Sequence, residues 1–186
     1  GETTTEKTVE KITLDDCNKF YKTYVRPNIS YMGIVGDITP AEAKALIEKY
    51  GTPLKVSYLP KIGKQINKAK SMFAAAFKKH KYTGKYHYCY CTKSSHFSFV
   101  VEEALKNDIH LETSFAYDIE IIKKLYAKKK INKDIFIICN GYKQKPYTQR
   151  IASLLNSGFK NVVPILDNKE ELKAYIKSVK VPFNLG

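Results

Sequence analysis

The sequence of 186 residues has no tryptophan, no long run of apolar residues, and only two arginines, Arg26 and Arg150, among its 32 basic residues. A membrane-spanning helix needs roughly 20 consecutive apolar residues, so we expect no membrane span. Arginine supplies the planar fork that recognises bases and phosphates with two hydrogen bonds at once, and lysine does not. The scarcity of arginine therefore counts against a site that reads nucleic-acid sequence.

Cysteine is also scarce. The four cysteines, Cys17, Cys89, Cys91 and Cys139, do not have the spacing of a metal site. Cys89 and Cys91 lie two residues apart on one predicted strand, and two ligands on a strand do not make a zinc site. Three of the four fall in predicted buried strands, where an unpaired cysteine behaves as a small apolar residue. We therefore predict reduced cysteines and a cytoplasmic setting.

The positive charge is unevenly distributed. Residues 1–51 carry seven basic and eight acidic side chains, whereas residues 52–186 carry 25 basic and ten acidic ones, which gives the net charge of +14. A basic half of this kind is typical of a module that binds nucleic acid or another polyanion. Because most of these residues are lysines on predicted helix faces, we favour a solvated surface and keep the non-catalytic binding module as the alternative.

A lysine stands at the end of a short aromatic strand. Aromatic, cysteine and threonine residues predict a strand from Tyr86 to Thr92, directly before Lys93. Ser94 and Ser95 are good N-cap residues, and the apolar spacing from Phe97 onward predicts a helix. In α/β folds the carboxyl ends of parallel strands form the rim where ligands bind, so this lysine is a candidate to trap a carbonyl group. A solvated lysine at a strand end is the alternative.

The pattern of a strand followed by a helix recurs three more times. The predicted strands are Ile109–Thr113, Ile135–Cys139 and Asn161–Leu166. The helix after the last of them opens with Asn168 and Glu171, a pair that resembles a capping box. Successive βα units imply parallel strands joined by right-handed crossovers. The period alone fits a half-barrel and a doubly wound sheet equally well.

The first 51 residues carry different elements. The sequence predicts a short helix over Leu14–Tyr24 and a strand over Tyr31–Val35. A second helix is predicted with Thr39 as its N-cap, Glu42 closing a capping box, and Gly51 at its end.

Residues 3–50, and especially Ile12–Tyr21 and Val35–Pro40, resemble the end of a repeat in pitrilysin-type (insulinase-like) zinc peptidases. Those peptidases bind zinc through a His-x-x-Glu-His helix, in which two histidines share one helical face. The four histidines of this sequence form no such motif (His80, His87, His96 and His110). We therefore expect no metal site, and a zinc-peptidase-related protein that lacks the metal remains a residual alternative.

A second resemblance rests on the segments Tyr50–Ile62, Tyr88–Phe97, Glu102–Ser114 and Cys139–Lys143. They are similar to the N-terminal part of biosynthetic arginine decarboxylases, which use pyridoxal phosphate (PLP) on an alanine-racemase-like (β/α)₈ barrel. The resemblance implies an α/β fold in which residues 52–186 form a partial (β/α)₈ PLP barrel of about four βα units. A short α+β segment would precede it.

The same resemblance implies site residues. In that family a lysine at the end of the first barrel strand forms the internal aldimine with PLP, and Lys93 matches this position. Glu112 matches an acidic residue near the cofactor, and a salt-bridged surface carboxylate is its alternative. Ser114 is a candidate donor to the cofactor phosphate, although we favour a cap on the following helix. The implied reaction converts arginine to agmatine and CO₂.

We interpret the chain as composite. Residues 1–51 would be a peptidase-like helix–strand–helix segment, and residues 52–186 a decarboxylase-like half-barrel with a leading strand and helix. The family's glycine-rich phosphate cup and substrate-binding residues would lie after residue 186, so we expect this fragment to be inactive alone. An open four-stranded parallel sheet leaves an unpaired edge strand, which favours self-association.

Overall fold

The computed structural model describes residues 4–29, 38–51 and 53–186. The predicted strand Tyr31–Val35 lies outside these ranges. The chain divides into two compact units, Gly1–Lys55 and Val56–Gly186, and each is described by itself. Among the described residues, no helix combines the length and the apolar character that crossing a membrane requires.

The first unit is helical in its described residues. Helix α1 spans Glu6–Val9, α2 spans Leu14–Tyr24 and α3 spans Pro40–Tyr50, with a 3₁₀ turn at Pro27–Ile29. The predicted bounds of α2 are confirmed. Of the described residues in this unit only Ala43 is buried, so these helices form no apolar core of their own.

A threonine caps each of these three helices. At the start of α3 the Glu42 N–H donates to Thr39 Oγ1, and the Thr39 N–H donates to Glu42 Oε2 at 2.8 Å. Thr13 and Asp16 make the same exchange at the start of α2. Because these bonds stabilise the charged carboxylates, the pKa values of Asp16 and Glu42 lie below their ordinary values. The capping box predicted from Thr39 and Glu42 is confirmed.

The second unit alternates helices and strands. After α4, Leu59–His80, its elements are β1 Cys89–Cys91, α5 Ser98–Leu105, β2 His110–Thr113, α6 Asp118–Ala127, β3 Phe136–Cys139, α7 Lys145–Asn156, β4 Asn161–Pro164 and α8 Lys169–Ser178. A leading strand was expected before α4. The described residues 53–58 have no regular structure. The four predicted βα units are all present.

The four strands form one parallel sheet in the order β1-β2-β3-β4. Each strand therefore pairs with the next one along the chain. In a doubly wound sheet the strand order reverses at a switch point, and no reversal occurs among the described strands. The fold is α/β with a sequential four-stranded parallel sheet, and the outer edge of β1 has no strand partner in the described part of the chain.

The sheet has one face covered by helices and one open face. Leu111, Ile137 and Val162 are fully buried in a core cluster that also contains side chains from α5, α6, α7 and α8. Successive side chains of a strand point to opposite faces. The half-buried residues that alternate with the core positions therefore form what we call the open face (His110, Glu112, Phe136, Ile138, Asn161 and Val163).

Two boundaries differ from the sequence prediction. Strand β1 is shorter than the predicted Tyr86–Thr92 at both ends, and a 3₁₀ turn at Thr92–Ser94 sets its carboxyl end. The prediction of Ser94 and Ser95 as caps of α5 is wrong. This helix begins at Ser98 after Phe97, with no side-chain hydrogen bond at its cap.

Hydrogen bonds fix the segments that follow β4, at the other edge of the sheet. Asn168 caps α8 as predicted, since its Oδ1 accepts the Glu171 N–H at 3.0 Å. The last residue, Gly186, lies beside the end of β4. Its N–H donates to the Pro164 carbonyl at 3.0 Å, and its own carbonyl accepts the Leu166 N–H at 2.9 Å. These are the two hydrogen bonds of a parallel bridge.

Candidate functional site at the carboxyl rim of the sheet

The carboxyl ends of β1 and β2 bring the predicted site residues to one rim. Strand β1 ends at Cys91, which pairs with Glu112 on β2. The 3₁₀ turn that follows carries Lys93, and it is held down by Thr92, whose fully buried Oγ1 donates to the Glu112 carbonyl at 3.0 Å. Lys93 is exposed. The rim therefore presents a lysine amine to solvent at the end of the first strand.

Glu112 and Ser114 are in direct contact. Ser114 Oγ donates to Glu112 Oε1 at 3.3 Å. The prediction that Ser114 caps the next helix is wrong, because α6 begins at Asp118 after Tyr117. Glu112 makes no ion pair among the described residues, and Lys93 is not joined to it by one. The structure thus pairs two of the three predicted residues and places the third on the same rim.

The two cysteines of β1 lie near Glu112. Burial, followed by the negative charge of Glu112, raises the pKa of Cys89 to about 11. Burial also raises the pKa of Cys91, and the nearby Lys93 offsets this only in part. Both thiols are therefore protonated at neutral pH, and a protonated thiol is a poor nucleophile and a poor metal ligand.

A buried carboxylate organises the β2–α6 turn. Asp118 is 1% exposed and its Oδ2 accepts the N–H groups of Ser114 at 2.8 Å and of Phe115 at 3.2 Å. His96 Nε2 lies 2.9 Å from Asp118 Oδ1, which joins the turn after β1 to the turn after β2. Sequence reasoning missed this residue. The available signal was an acidic side chain in the first turn of a predicted helix.

A buried ion pair holds the rim beyond β3. Lys143 is 4% exposed, and its Nζ donates to Glu171 Oε2 at 3.3 Å, to the Gly141 carbonyl at 2.7 Å and to the Ile165 carbonyl. Glu171 is 3% exposed and also accepts the Lys143 N–H at 3.1 Å. The pair ties the β3–α7 loop to the start of α8. Sequence reasoning included Lys143 in a motif and missed its contacts.

On the open face, His87 Nδ1 lies 3.0 Å from His110 Nε2, and His110 Nδ1 accepts the Phe136 N–H at 3.3 Å. Burial, then the nearby His87, lowers the pKa of His110 from its ordinary 6.5, and Lys70 adds to this while Asp108 opposes it. The unfolded chain therefore binds a proton more readily than the folded chain does.

We accordingly expect stability to fall as the pH drops through about 6.5, and to level off below the lowered pKa of the folded state. Urea unfolding at a series of pH values measures this slope. His110→Gln should flatten it, because the variant removes the group whose pKa is shifted. An equal slope in the variant and the parent would contradict the assignment to His110.

The comparison with known families finds a similarity over part of the chain. Residues 11–92 are similar to the peptidase M16 inactive domain. This match supports the pitrilysin-type resemblance of the N-terminal residues, and it extends past Gly51 through α4 and β1. No curated protein matches the chain. The similarity is to a domain described as inactive, and among the described residues no group of three His, Cys, Asp or Glu side chains could hold a metal ion.

The rim fits PLP only in part. Lys93 offers an exposed amine for the aldehyde carbon. Three donors of the β2–α6 turn are already used, because the N–H groups of Ser114 and Phe115 donate to Asp118 and the Ser114 hydroxyl donates to Glu112. The described residues therefore do not fit the cofactor as a whole. They provide an amine for its aldehyde, but the β2–α6 turn has no free donor for its phosphate.

Proposed function

We propose that residues 52–186 are the first half of a barrel of the PLP-dependent arginine decarboxylase type, and that this chain does not decarboxylate arginine by itself. The observation that carries the proposal is Lys93, an exposed amine at the carboxyl end of the first strand of a sequential parallel sheet. Parallel (β/α)₈ barrels place their reactive groups at this end of the strands.

The two faces of the sheet support the same proposal. In a closed barrel the helices cover the outside, and the side chains of the opposite face fill the interior. Here the helices cover one face only, and the open face carries both polar and apolar side chains such as Glu112, Ile138 and Val163. Among the described residues no further strand encloses this face.

The expected inactivity follows from the donors at the rim. Most of the affinity for a phosphorylated cofactor comes from groups that hold its phosphate, and the rim donors of Ser114 and Phe115 are satisfied within the chain. The role of Lys93 would be limited to forming a reversible imine with an aldehyde. We expect no measurable release of CO₂ from arginine when the chain is supplied with PLP.

Reductive trapping tests the role of Lys93. The chain is incubated with substoichiometric PLP and treated with borohydride, and the modified lysines are mapped by peptide mass spectrometry. We expect Lys93 to carry a larger share of the label than any other exposed lysine. Lys93→Ala should remove that share, whereas Lys177→Ala, an exposed lysine on α8, should leave the labelling pattern unchanged. Uniform labelling of the surface lysines would contradict the proposal.

A second candidate function rests on the family match of residues 11–92. In this candidate the chain is related to zinc peptidases, lacks their metal motif, and has a non-catalytic role. This candidate covers α4 and β1 as well as the first unit, so it competes with the first proposal for residues 52–92. A zinc-dependent peptidase activity of the purified chain, abolished by a chelator, would contradict it.

A further inference from the structure

Four aromatic rings form a cluster at the end of α4. Phe73 and Tyr86 stack with their centroids 4.1 Å apart and an angle of 13° between their planes. Phe77 and Tyr82 lie 4.7 Å apart, and Phe73 and Phe77 lie 6.2 Å apart. We call these four residues the aromatic cluster. Tyr82 is 60% exposed, so the cluster presents ring surface to solvent and is not part of a core.

The backbone at the end of α4 builds this cluster. Lys81 has a left-handed conformation with φ of 53°, and the Tyr82 N–H donates to the Phe77 carbonyl at 2.9 Å. This turn ends the helix and directs the following residues back along it. Tyr82 and Tyr86 are thereby placed against Phe77 and Phe73. The main-chain turn therefore brings the four rings together.

Lysines flank the aromatic cluster in the sequence, and acidic residues do not. Between Val56 and Val101 the chain contains nine lysines and no Asp or Glu. Four of these lysines lie within two positions of a ring residue in the sequence, are exposed, and make no ion pair within the described part of the chain (Lys78, Lys79, Lys81 and Lys85). The positive charge of this surface is therefore uncompensated within the second unit.

Several other lysines of the second unit have acidic partners. Lys106 pairs with Glu103, Lys123 with Glu120, and Lys173 with Glu170, each across about one helical turn. Those pairs are what a solvated helix surface looks like. The segment around the aromatic cluster contains no acidic residue that could form such a pair, so its positive charge is available to an anionic ligand.

We propose that the aromatic cluster and its four lysines bind single-stranded nucleic acid. Exposed rings offer faces on which bases stack whatever their sequence, and lysines neutralise the phosphates between them. Lysine suffices for this task, since contacts to the backbone need charge and not the bidentate fork of arginine. The scarcity of arginine predicts that binding does not discriminate between sequences.

An anionic membrane is a less suitable ligand for the same surface. Peripheral helices insert long aliphatic and aromatic side chains below the headgroups. Residues 71–86 contain no Leu, Ile or Val, and two of the four rings end in a hydroxyl. The surface is therefore better matched to flat bases than to acyl chains.

Fluorescence anisotropy with the full chain and a labelled oligothymidylate of about 12 nucleotides tests the proposal. We expect binding that weakens as salt is added. Lys78→Ala/Lys85→Ala should lower the slope of log K against log salt by about 1.4, because each phosphate contact contributes about 0.7 for a single strand. Lys177→Ala/Lys180→Ala removes the same charge from another exposed part of the unit and should leave the slope unchanged.

A substitution at Tyr82 separates stacking from charge. Tyr82→Ala should weaken binding roughly tenfold without changing the salt slope, and Tyr82→Phe should retain most of the affinity because the ring face is kept. Circular dichroism of each variant verifies the fold. The proposal is overturned if the oligonucleotide does not bind, if both lysine pairs have equal effects, or if phosphatidylserine vesicles bind more tightly and compete for the same lysines.

Discussion

Replacement of Lys143 by alanine is expected to lower the free energy of unfolding by about 3–5 kcal/mol, the cost of removing one partner from a buried ion pair. The substitution leaves the buried Glu171 carboxylate without its cation, and it leaves the carbonyls of Gly141 and Ile165 without a donor. Urea unfolding, followed by circular dichroism, measures the difference between the variant and the parent chain.

Lys160→Ala is the matched control for this experiment. Lys160 pairs with Asp134 at 2.8 Å, which is shorter than the 3.3 Å between Lys143 and Glu171. The side chains of Lys160 and Asp134 are, however, both largely exposed. Water screens such a pair, so its removal should leave the unfolding midpoint almost unchanged. Equal effects of the two substitutions would contradict the view that burial, and not contact distance, determines the contribution of each lysine.

Asp118→Ala is expected to destabilise the chain by about 3 kcal/mol. The substitution removes the acceptor of the Ser114 and Phe115 N–H groups, and a buried donor without a partner costs about 1–3 kcal/mol. Amide hydrogen exchange supplies a local measurement, because the Ser114 N–H should lose its protection to a greater extent than the core strands do.

Asp118→Asn separates the shape of this side chain from its charge. The amide keeps one oxygen that can accept the Ser114 N–H, but it loses the carboxylate beside His96. We expect a smaller loss of stability than in Asp118→Ala and partial protection of the Ser114 amide. Identical exchange rates in the two variants would show that the acceptor oxygen does not hold this turn.

Features that depend on residues close in sequence were predicted well. The caps of α3 and α8 each join a residue to one three positions later, Thr39 to Glu42 and Asn168 to Glu171, so the pair is visible in the sequence itself. The four βα units follow from apolar spacing in the same way. These elements require no knowledge of the tertiary structure.

Features that depend on distant residues were not predicted. Lys143 and Glu171 are separated by 28 positions, and His96 and Asp118 by 22. Each of these side chains, considered alone, has the character of a surface residue, and only the packing of α6 and α8 against the sheet buries Asp118 and Glu171. The strand order required the same information, since the βα period fitted two topologies.

The rim shows the same division. The position of Lys93 at the end of β1 follows from the local aromatic pattern, and it is where the sequence placed it. The partner of Ser114 was not predicted, because the choice between capping a helix and contacting Glu112 depends on where α6 begins. Because α6 begins at Asp118, Ser114 lies in the turn before the helix, and its hydroxyl contacts Glu112 on β2.

The bridge between Gly186 and the end of β4 has a practical consequence. It fixes the chain end beside Ile165 and directs it along the sheet in the same sense as β4. A peptide or dye joined after Gly186 would start at the edge of the sheet on the side of its carboxyl rim. Such an attachment point would report on events at that edge, and a bulky tag placed there would compete with any strand approaching β4.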